Sequence, residues 1–129
     1  MAWIKFKWSN EVPQDQIDET FIQGMMNRMI LGFHNYGHMR RKHDRPDNIK
    51  NIRTRLNKYQ STGNTEWLMD AANFAMMEFA VPSHHKAHFR ATESHESPGS
   101  HVSGRIIRNK KELKPATGLH APRVQREGD

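Results

Sequence analysis

The chain has no cysteine among its 129 residues. Disulfide frameworks, cysteine nucleophiles and thiolate metal sites are therefore excluded, and the composition suits a reducing cytoplasm. Apolar residues are also scarce, since 35% of the sequence is hydrophobic and the mean hydropathy is −0.92. No apolar run is long enough to cross a bilayer, and the first eight residues are too charged for a secretory signal. We therefore predict a cytoplasmic protein with a small hydrophobic core and no membrane contact.

Basic residues outnumber acidic residues, with 20 Lys and Arg against 14 Asp and Glu, and the formal net charge is +6. Residues 83–129 carry +4 of this charge, and the composition there turns to Ser, His, Pro, Gly, Lys and Arg. We predict a helical domain over residues 1–82 and an irregular, partly ordered basic extension over residues 83–129. A basic balance favours anionic partners such as nucleotides or nucleic acid.

Apolar residues recur every three to four positions in three stretches, which predicts an all-α bundle of three helices. The helices are predicted over residues 14–35, 48–60 and 65–80. Their ends are marked by Pro13, Gly37, Asp47, Gly63 and Pro82. Residues 2–8 alternate apolar side chains with lysine, which predicts an extended arm, and no second strand pattern is evident. Because the core is lean and methionine-rich, we expect a homo-oligomer.

The third predicted helix carries one polar stripe on an otherwise apolar surface. Glu66, Asp70 and Asn73 stand at positions i, i+4 and i+7, so they share one face. Burying a carboxylate costs on the order of several kcal/mol unless a cation meets it. One interpretation is a Mg²⁺ site shared with Asp15, Asp18 and Glu19 at the start of the first helix. The other is a set of ion pairs with arginine, with Asn73 bonded to a neighbouring backbone.

Two stretches of the sequence carry a family resemblance. Residues 60–79 contain Thr-Gly-Asn-Thr-Glu-Trp-Leu and Asp-Ala-Ala-Asn-Phe-Ala, and residues 87–99 contain Ala-His-Phe-Arg-Ala-Thr. Together they resemble a family of small proteins from phages and actinobacteria. The sequence also predicts a helix that ends in Tyr-Gly, then a basic helix, then an acidic helix. In this order of helices the chain resembles the MazG-like all-α nucleoside triphosphate pyrophosphohydrolases and the nucleotide-modification-associated domains. The resemblance covers about residues 30–99.

The second resemblance implies a phage-type, Mg²⁺-dependent nucleoside triphosphate pyrophosphohydrolase that acts in the host cytoplasm. Glu66 and Asp70 would be its catalytic residues and would hold the metal together with the acids of the first helix. The residues implied to bind the nucleotide are Tyr36, Arg53, Arg55, Lys58 and Asn73. The sequence departs from that family's pattern, because the acidic spacing is ExxxD rather than ExxD and the first acidic pair lies far upstream. The alternative is a non-enzymatic phage protein that sequesters a nucleotide signal or binds a host defence protein or nucleic acid.

Two further patterns leave alternatives open. Residues 105–114 alternate basic and apolar side chains, which suits either docking on nucleic acid or a host protein, or a solvated tail. His84 and His88 have the i, i+4 spacing of a zinc pair, but only if they lie on a helix. Pro82 argues against that helix.

Overall fold

The computed structural model describes residues 9–38, 45–93 and 95–108. A 3₁₀ turn over Gln14–Gln16 is followed by the helices α1 (Glu19–Tyr36), α2 (Asn48–Thr62) and α3 (Glu66–Ala80). Two short strands follow, β1 (Ser100–Val102) and β2 (Arg105–Ile107). The predicted all-α class is confirmed. No helix in these ranges has both the length and the apolar character needed to cross a membrane. The predicted arm at residues 2–8 lies outside the described residues.

The chain divides into two compact units, residues 1–87 and 88–129. The first unit holds the three helices, and the second holds the two strands.

α1 begins later than the sequence predicts. The side chain of Asp18 accepts a hydrogen bond from the backbone N–H of Phe21 at 3.0 Å, so Asp18 is the N-cap. The predicted start at Gln14 is wrong, because Gln14–Gln16 forms a separate 3₁₀ turn that ends in extended backbone at Ile17. The C-terminal end follows the prediction closely. Gly37 ends the helix with a φ of 76°, and its N–H donates to the carbonyl of Phe33.

The other two helices begin and end within two residues of the predicted positions. Asp47 caps α2 by accepting from the N–H of Lys50 at 3.0 Å, and Gly63 ends α2 in the left-handed conformation. At the start of α3 the side chain of Asn64 accepts from the N–H of Glu66 at 3.0 Å. The turn between α2 and α3 is therefore fixed by local hydrogen bonds that the sequence itself encodes.

α3 is the central helix of the first unit and packs against both α2 and α1. Among the described residues of this unit, Ala71 is the only apolar side chain in the buried class. Four polar residues are equally buried, and these are Gln23, Asn48, Asp70 and Asn73. The second half of α3 is partly exposed, since Met76 is 45% exposed and Phe79 78% exposed. The core is therefore thin and unusually polar.

The second unit contains a hairpin that the sequence did not predict. β1 and β2 pair antiparallel, with Val102 opposite Arg105. Ser103 and Gly104 form the two-residue turn and have φ values of 48° and 80°. Positive φ at both central positions is the geometry of a type I′ turn, which matches the twist of paired strands. Residues 100–107 are thus regular structure inside the segment predicted to be irregular.

Candidate functional site

Asp70 of α3 lies at the centre of a charged cluster to which all three helices contribute. Arg28 of α1 donates to both of its carboxylate oxygens, from Nε at 3.0 Å and from Nη2 at 3.2 Å. Arg55 of α2 places its Nε 3.9 Å from the Oδ2 atom of Asp70. The hydrogen bond from Arg28 to Asp70 raises the pKa of the Arg28 guanidinium above its ordinary value. The carboxylate of Asp70 is only 10% exposed, so these two arginines provide the cation that its burial requires.

The other two members of the polar stripe also meet α1. Glu66 lies 3.4 Å from Nη1 of Arg28 and keeps 51% of its side chain exposed. The side-chain amide of Asn73 donates to the backbone carbonyl of Met25 at 2.8 Å. The stripe therefore forms ion pairs and a backbone hydrogen bond, as in the second interpretation of the sequence. The arginine nearest to Asp70 is Arg28 of α1, and Arg55 of α2 lies farther away.

Arg55 is held by contacts to α2 and α3. Its Nη1 donates to the side-chain oxygen of Asn51 at 2.7 Å and to the backbone carbonyl of the same residue at 3.3 Å. The guanidinium carbon lies 4.4 Å from the centre of the Phe74 ring, which is cation–π distance. These contacts fix the plane of the guanidinium, so Arg55 is preorganised for a ligand that needs a planar donor.

A cavity of about 450 Å³ lies beside this cluster and is lined by residues of all three helices. Such a volume is typical of a site for a small molecule. Its polar lining residues are Arg28, Asn35, Asn51, Arg55, Asp70 and Asn73. Its apolar and aromatic lining includes Met29, Leu31, Tyr36, Phe74 and Met77. A few convergent polar groups on an apolar wall are what a specific ligand pocket requires.

Two buried polar atoms of this lining make no hydrogen bond. They are Oδ1 of Asn73 and Nε of Arg55. A buried polar atom without a partner costs about 1–3 kcal/mol. Nε of Arg55 faces Oδ2 of Asp70 at 3.9 Å. Oδ1 of Asn73 and Nε of Arg55 have almost no surface exposed to solvent, so they are part of the packing behind the cavity wall.

The structure brings together four of the residues predicted to form the site. Asp70, Arg55, Asn73 and Tyr36 all line the cavity. Arg53 and Lys58 do not line it and are exposed on α2. Glu66 reaches the cluster only through Arg28. The three upstream acids, Asp15, Asp18 and Glu19, are all exposed around the start of α1.

The donor set around Asp70 does not fit Mg²⁺ in this arrangement. Both carboxylates already face Arg28, so a divalent cation would have to displace a guanidinium. Across the described ranges no group of three or more His, Asp or Glu side chains is placed to hold a metal ion. Asp18 is moreover engaged as the N-cap of α1. Binding of Mg²⁺ therefore stays a prediction of the family resemblance.

His84, His85 and His88 follow α3 and lie outside any helix. The rings of His84 and His85 stack at a centroid distance of 5.1 Å, and the backbone around them forms bends and turns. The helical condition for a zinc pair at positions 84 and 88 is not met. Of the basic segment 105–114, only residues 105–108 are described, and Arg105 is exposed in β2. Docking of this segment on nucleic acid or a host protein stays a prediction.

Arg28 is the main site residue that the sequence reasoning missed. A signal was present, because it is the only Lys or Arg in α1 and it stands between Met25 and Met29 of the apolar stripe. A lone cation in that position needs a buried anion, and Asp70 was available. Asn35, Asn51 and Phe74 carry no comparable signal, since polar and aromatic residues at such positions are ordinary.

No protein-family model matches the chain, and neither a curated protein nor a solved structure matches it.

Proposed function

We propose that the helical unit binds a nucleotide or nucleotide-derived ligand in the cavity beside Asp70, without hydrolysing it. One observation carries the proposal. Two guanidiniums, those of Arg28 and Arg55, line one cavity together with the side-chain amides of Asn35 and Asn73. An amide acceptor beside a planar cation suits a ligand that joins a base to a phosphate, because the base offers N–H donors and the phosphate accepts from arginine.

The remaining lining supports the same ligand class. Asn35 adds an amide group that can donate to and accept from the edge of a base. The amide of Asn51 is already engaged, because it accepts from Arg55 and donates to the backbone carbonyl of Asp47. Tyr36 and Phe74 supply aromatic surface on which a base can stack. The cavity of about 450 Å³ is large enough for one nucleotide.

The charge of the lining favours a ligand with few phosphates. Arg28 and Arg55 contribute two positive charges and Asp70 one negative charge, so the lining has a single positive charge in excess. Glu66 lowers the local potential further, since it lies 3.4 Å from Arg28. We therefore expect a nucleoside monophosphate or a cyclic nucleotide to bind at least as tightly as the triphosphate.

The carboxylates support binding better than catalysis. Hydrolysis of a nucleotide phosphate needs a carboxylate that is available to a metal ion or to an attacking water. Asp70 is instead held by two hydrogen bonds from Arg28, and Glu66 is paired with the same guanidinium. In this proposal Asp70 is a positioning residue that orients both arginines toward the ligand.

Isothermal titration calorimetry with nucleoside mono-, di- and triphosphates and with cyclic nucleotides tests the proposal. Arg55→Met should weaken binding about tenfold to a hundredfold, because it removes a charged hydrogen-bond donor. Arg53→Met is the matched control, since Arg53 lies two residues away on α2 and does not line the cavity. Its affinity should equal that of the wild type.

Two results would overturn the proposal. One is a wild-type protein that binds none of these nucleotides; the other is an equal loss of affinity in the two variants. A parallel assay for pyrophosphate release from nucleoside triphosphates with Mg²⁺ or Mn²⁺ addresses catalysis. Release that Glu66→Gln abolishes, in a variant that stays folded, would replace the binding function with the hydrolytic function that the family resemblance implies.

A further inference from the structure

A second groove of the helical unit is almost wholly apolar. It has a volume of about 530 Å³ and lies between α1 and α3. Among the described residues its lining has no Asp, Glu, Lys or Arg and includes two histidines, His34 and His38. Its apolar walls are Met26, Met29, Ile30, Phe33, Met76 and Met77. Ile30 is 37% exposed and Phe33 55% exposed. We call this surface the methionine face.

The helical unit buries little apolar surface by itself. Ordering a residue costs roughly 1–2 kcal/mol of backbone entropy, and burial of apolar surface offsets it at about 25 cal/mol per Å². Yet no large side chain of the described residues is fully buried. Exposed apolar side chains of α1 and of the second half of α3 line this groove, among them Ile30, Phe33 and Met76. Covering the methionine face would add their burial to the core.

We propose that a second copy of this chain covers the methionine face, so that the protein is a two-fold symmetric dimer. In such a dimer the same patch meets itself, which requires that the patch does not repel its own copy. The chain carries a net charge of +6, yet none of the described residues that line this groove is a Lys, Arg, Asp or Glu. A second copy of the same described lining therefore brings no like charge from these residue types against it.

The composition of the face points the same way. Methionine and aromatic residues are enriched in protein interfaces, and homodimer interfaces are more apolar than transient ones. Four of the six apolar wall residues are methionines, whose flexible side chains can adapt to a facing copy. This proposal is tested separately from nucleotide binding, because the dimer is detected by the mass of the particle.

Sedimentation velocity on the full chain is the first test. The wild type should sediment with twice the 15.1-kDa mass of the chain. Ile30→Glu should shift the particle to the monomer mass, because it places a charge in the interface. Ile49→Glu is the matched control, since Ile49 on α2 is 43% exposed and does not line the groove. It should remain dimeric.

A monomeric wild type would overturn the proposal and would make residues 1–8 of the same chain the occupant to test, since they include Ile4, Phe6 and Trp8. A dimer that survives Ile30→Glu would also overturn it. So would a dimer that both substitutions break equally, because the interface would then not be specific to this face.

Cysteine crosslinking keeps the test decisive if Ile30→Glu fails to fold. The chain has no native cysteine, so a single introduced thiol reacts at one known position. Phe33→Cys and Met76→Cys should give a covalent dimer with a short bismaleimide, whereas Ile49→Cys should stay a single chain. Crosslinking at the face no greater than at position 49 would overturn the proposal.

Discussion

At the scale of single residues, Asp70 connects all three helices. It belongs to α3, it accepts two hydrogen bonds from Arg28 of α1, and it pairs with Arg55 of α2. The apolar contacts of the unit are few, so this polar junction takes over part of the role of a hydrophobic core. A buried carboxylate between two guanidiniums also specifies one arrangement of the helices, because any other arrangement would leave charges unpaired.

The first prediction concerns that junction. Asp70→Asn should lower the free energy of unfolding by about 3 kcal/mol, because it leaves two arginines side by side without their anion. Glu66→Gln should lower it by less than about 1 kcal/mol, because Glu66 pairs with the same arginine while half exposed. Urea denaturation at neutral pH measures both values. Equal losses in the two variants would contradict the central role of Asp70.

Glu78 is a second residue on which the helical unit depends. Its carboxylate accepts from the backbone N–H of Ser83 at 2.6 Å and from the side chain of Asn48 at 3.0 Å. Arg45 lies 3.7 Å away. The hydrogen bond from Ser83, then that from Asn48, then the charge of Arg45 lower the pKa of Glu78 below its ordinary 4.5. The end of α3, the start of α2 and the segment after α3 meet at this one group.

The second prediction is the pH dependence that follows. A carboxyl group with a lowered pKa in the folded state contributes stability above its unfolded pKa, and that stability is lost as the pH falls through the folded pKa. The Tm of Glu78→Gln should therefore lie below that of the wild type at pH 7. The difference in Tm between the two proteins should narrow as the pH falls below 4.5. Thermal unfolding followed by circular dichroism from pH 3 to pH 8 measures this difference. A difference that stays constant with pH would contradict the lowered pKa of Glu78.

At the scale of elements, two glycines of α1 differ in their surroundings. A Cβ atom added at Gly24 would lie within 3 Å of the Sδ and Cε atoms of Met69, whereas at Gly32 it would meet nothing within 4 Å. Gly24 thus lets α1 approach α3 closely, and Gly32 serves no packing role.

The third prediction uses this pair. Gly32→Ala should raise the free energy of unfolding by about 0.5–1 kcal/mol, because alanine is the better helix former and space is available. Gly24→Ala should raise the free energy of unfolding by less, since the end of the Met69 side chain has to move. Gly24→Leu should lower the free energy of unfolding by about 1–3 kcal/mol through overpacking. Chemical denaturation of the three variants measures these changes. If alanine raised the free energy of unfolding equally at both glycines, the close contact between Gly24 and Met69 would not affect stability.

Helix ends were predictable because their signals are local. Asp47, Gly37 and Gly63 act within a few residues of themselves, so sequence alone fixes where they stop or start a helix. The partner of Asp70 was not predictable in the same way. Arg28 lies 42 positions away, and only the packing of α1 on α3 brings it there. The hairpin at residues 100–107 was missed because three-residue strands are too short to show a periodic pattern.

At the scale of the whole molecule, the methionine face and the ligand cavity share two lining residues. Met29 and Met77 line both spaces. A second copy seated on the methionine face would restrict these two side chains and so shape the cavity on their other side. A dimer would therefore order part of the ligand site in addition to completing the core, which links the two proposals physically while leaving each with its own test.

The fourth prediction is that the Tm depends on protein concentration. When folding is coupled to dimer formation, mass action stabilises the folded state as the concentration rises. A tenfold increase should raise the Tm of the wild type and of Ile49→Glu by a few degrees, on the order of 3 °C for a domain of this size. Ile30→Glu should melt at a lower temperature that does not change with concentration, because it folds alone. Differential scanning calorimetry over a hundredfold range of concentration measures all three proteins. A wild-type Tm that is independent of concentration would mean that the helices complete their core within one chain.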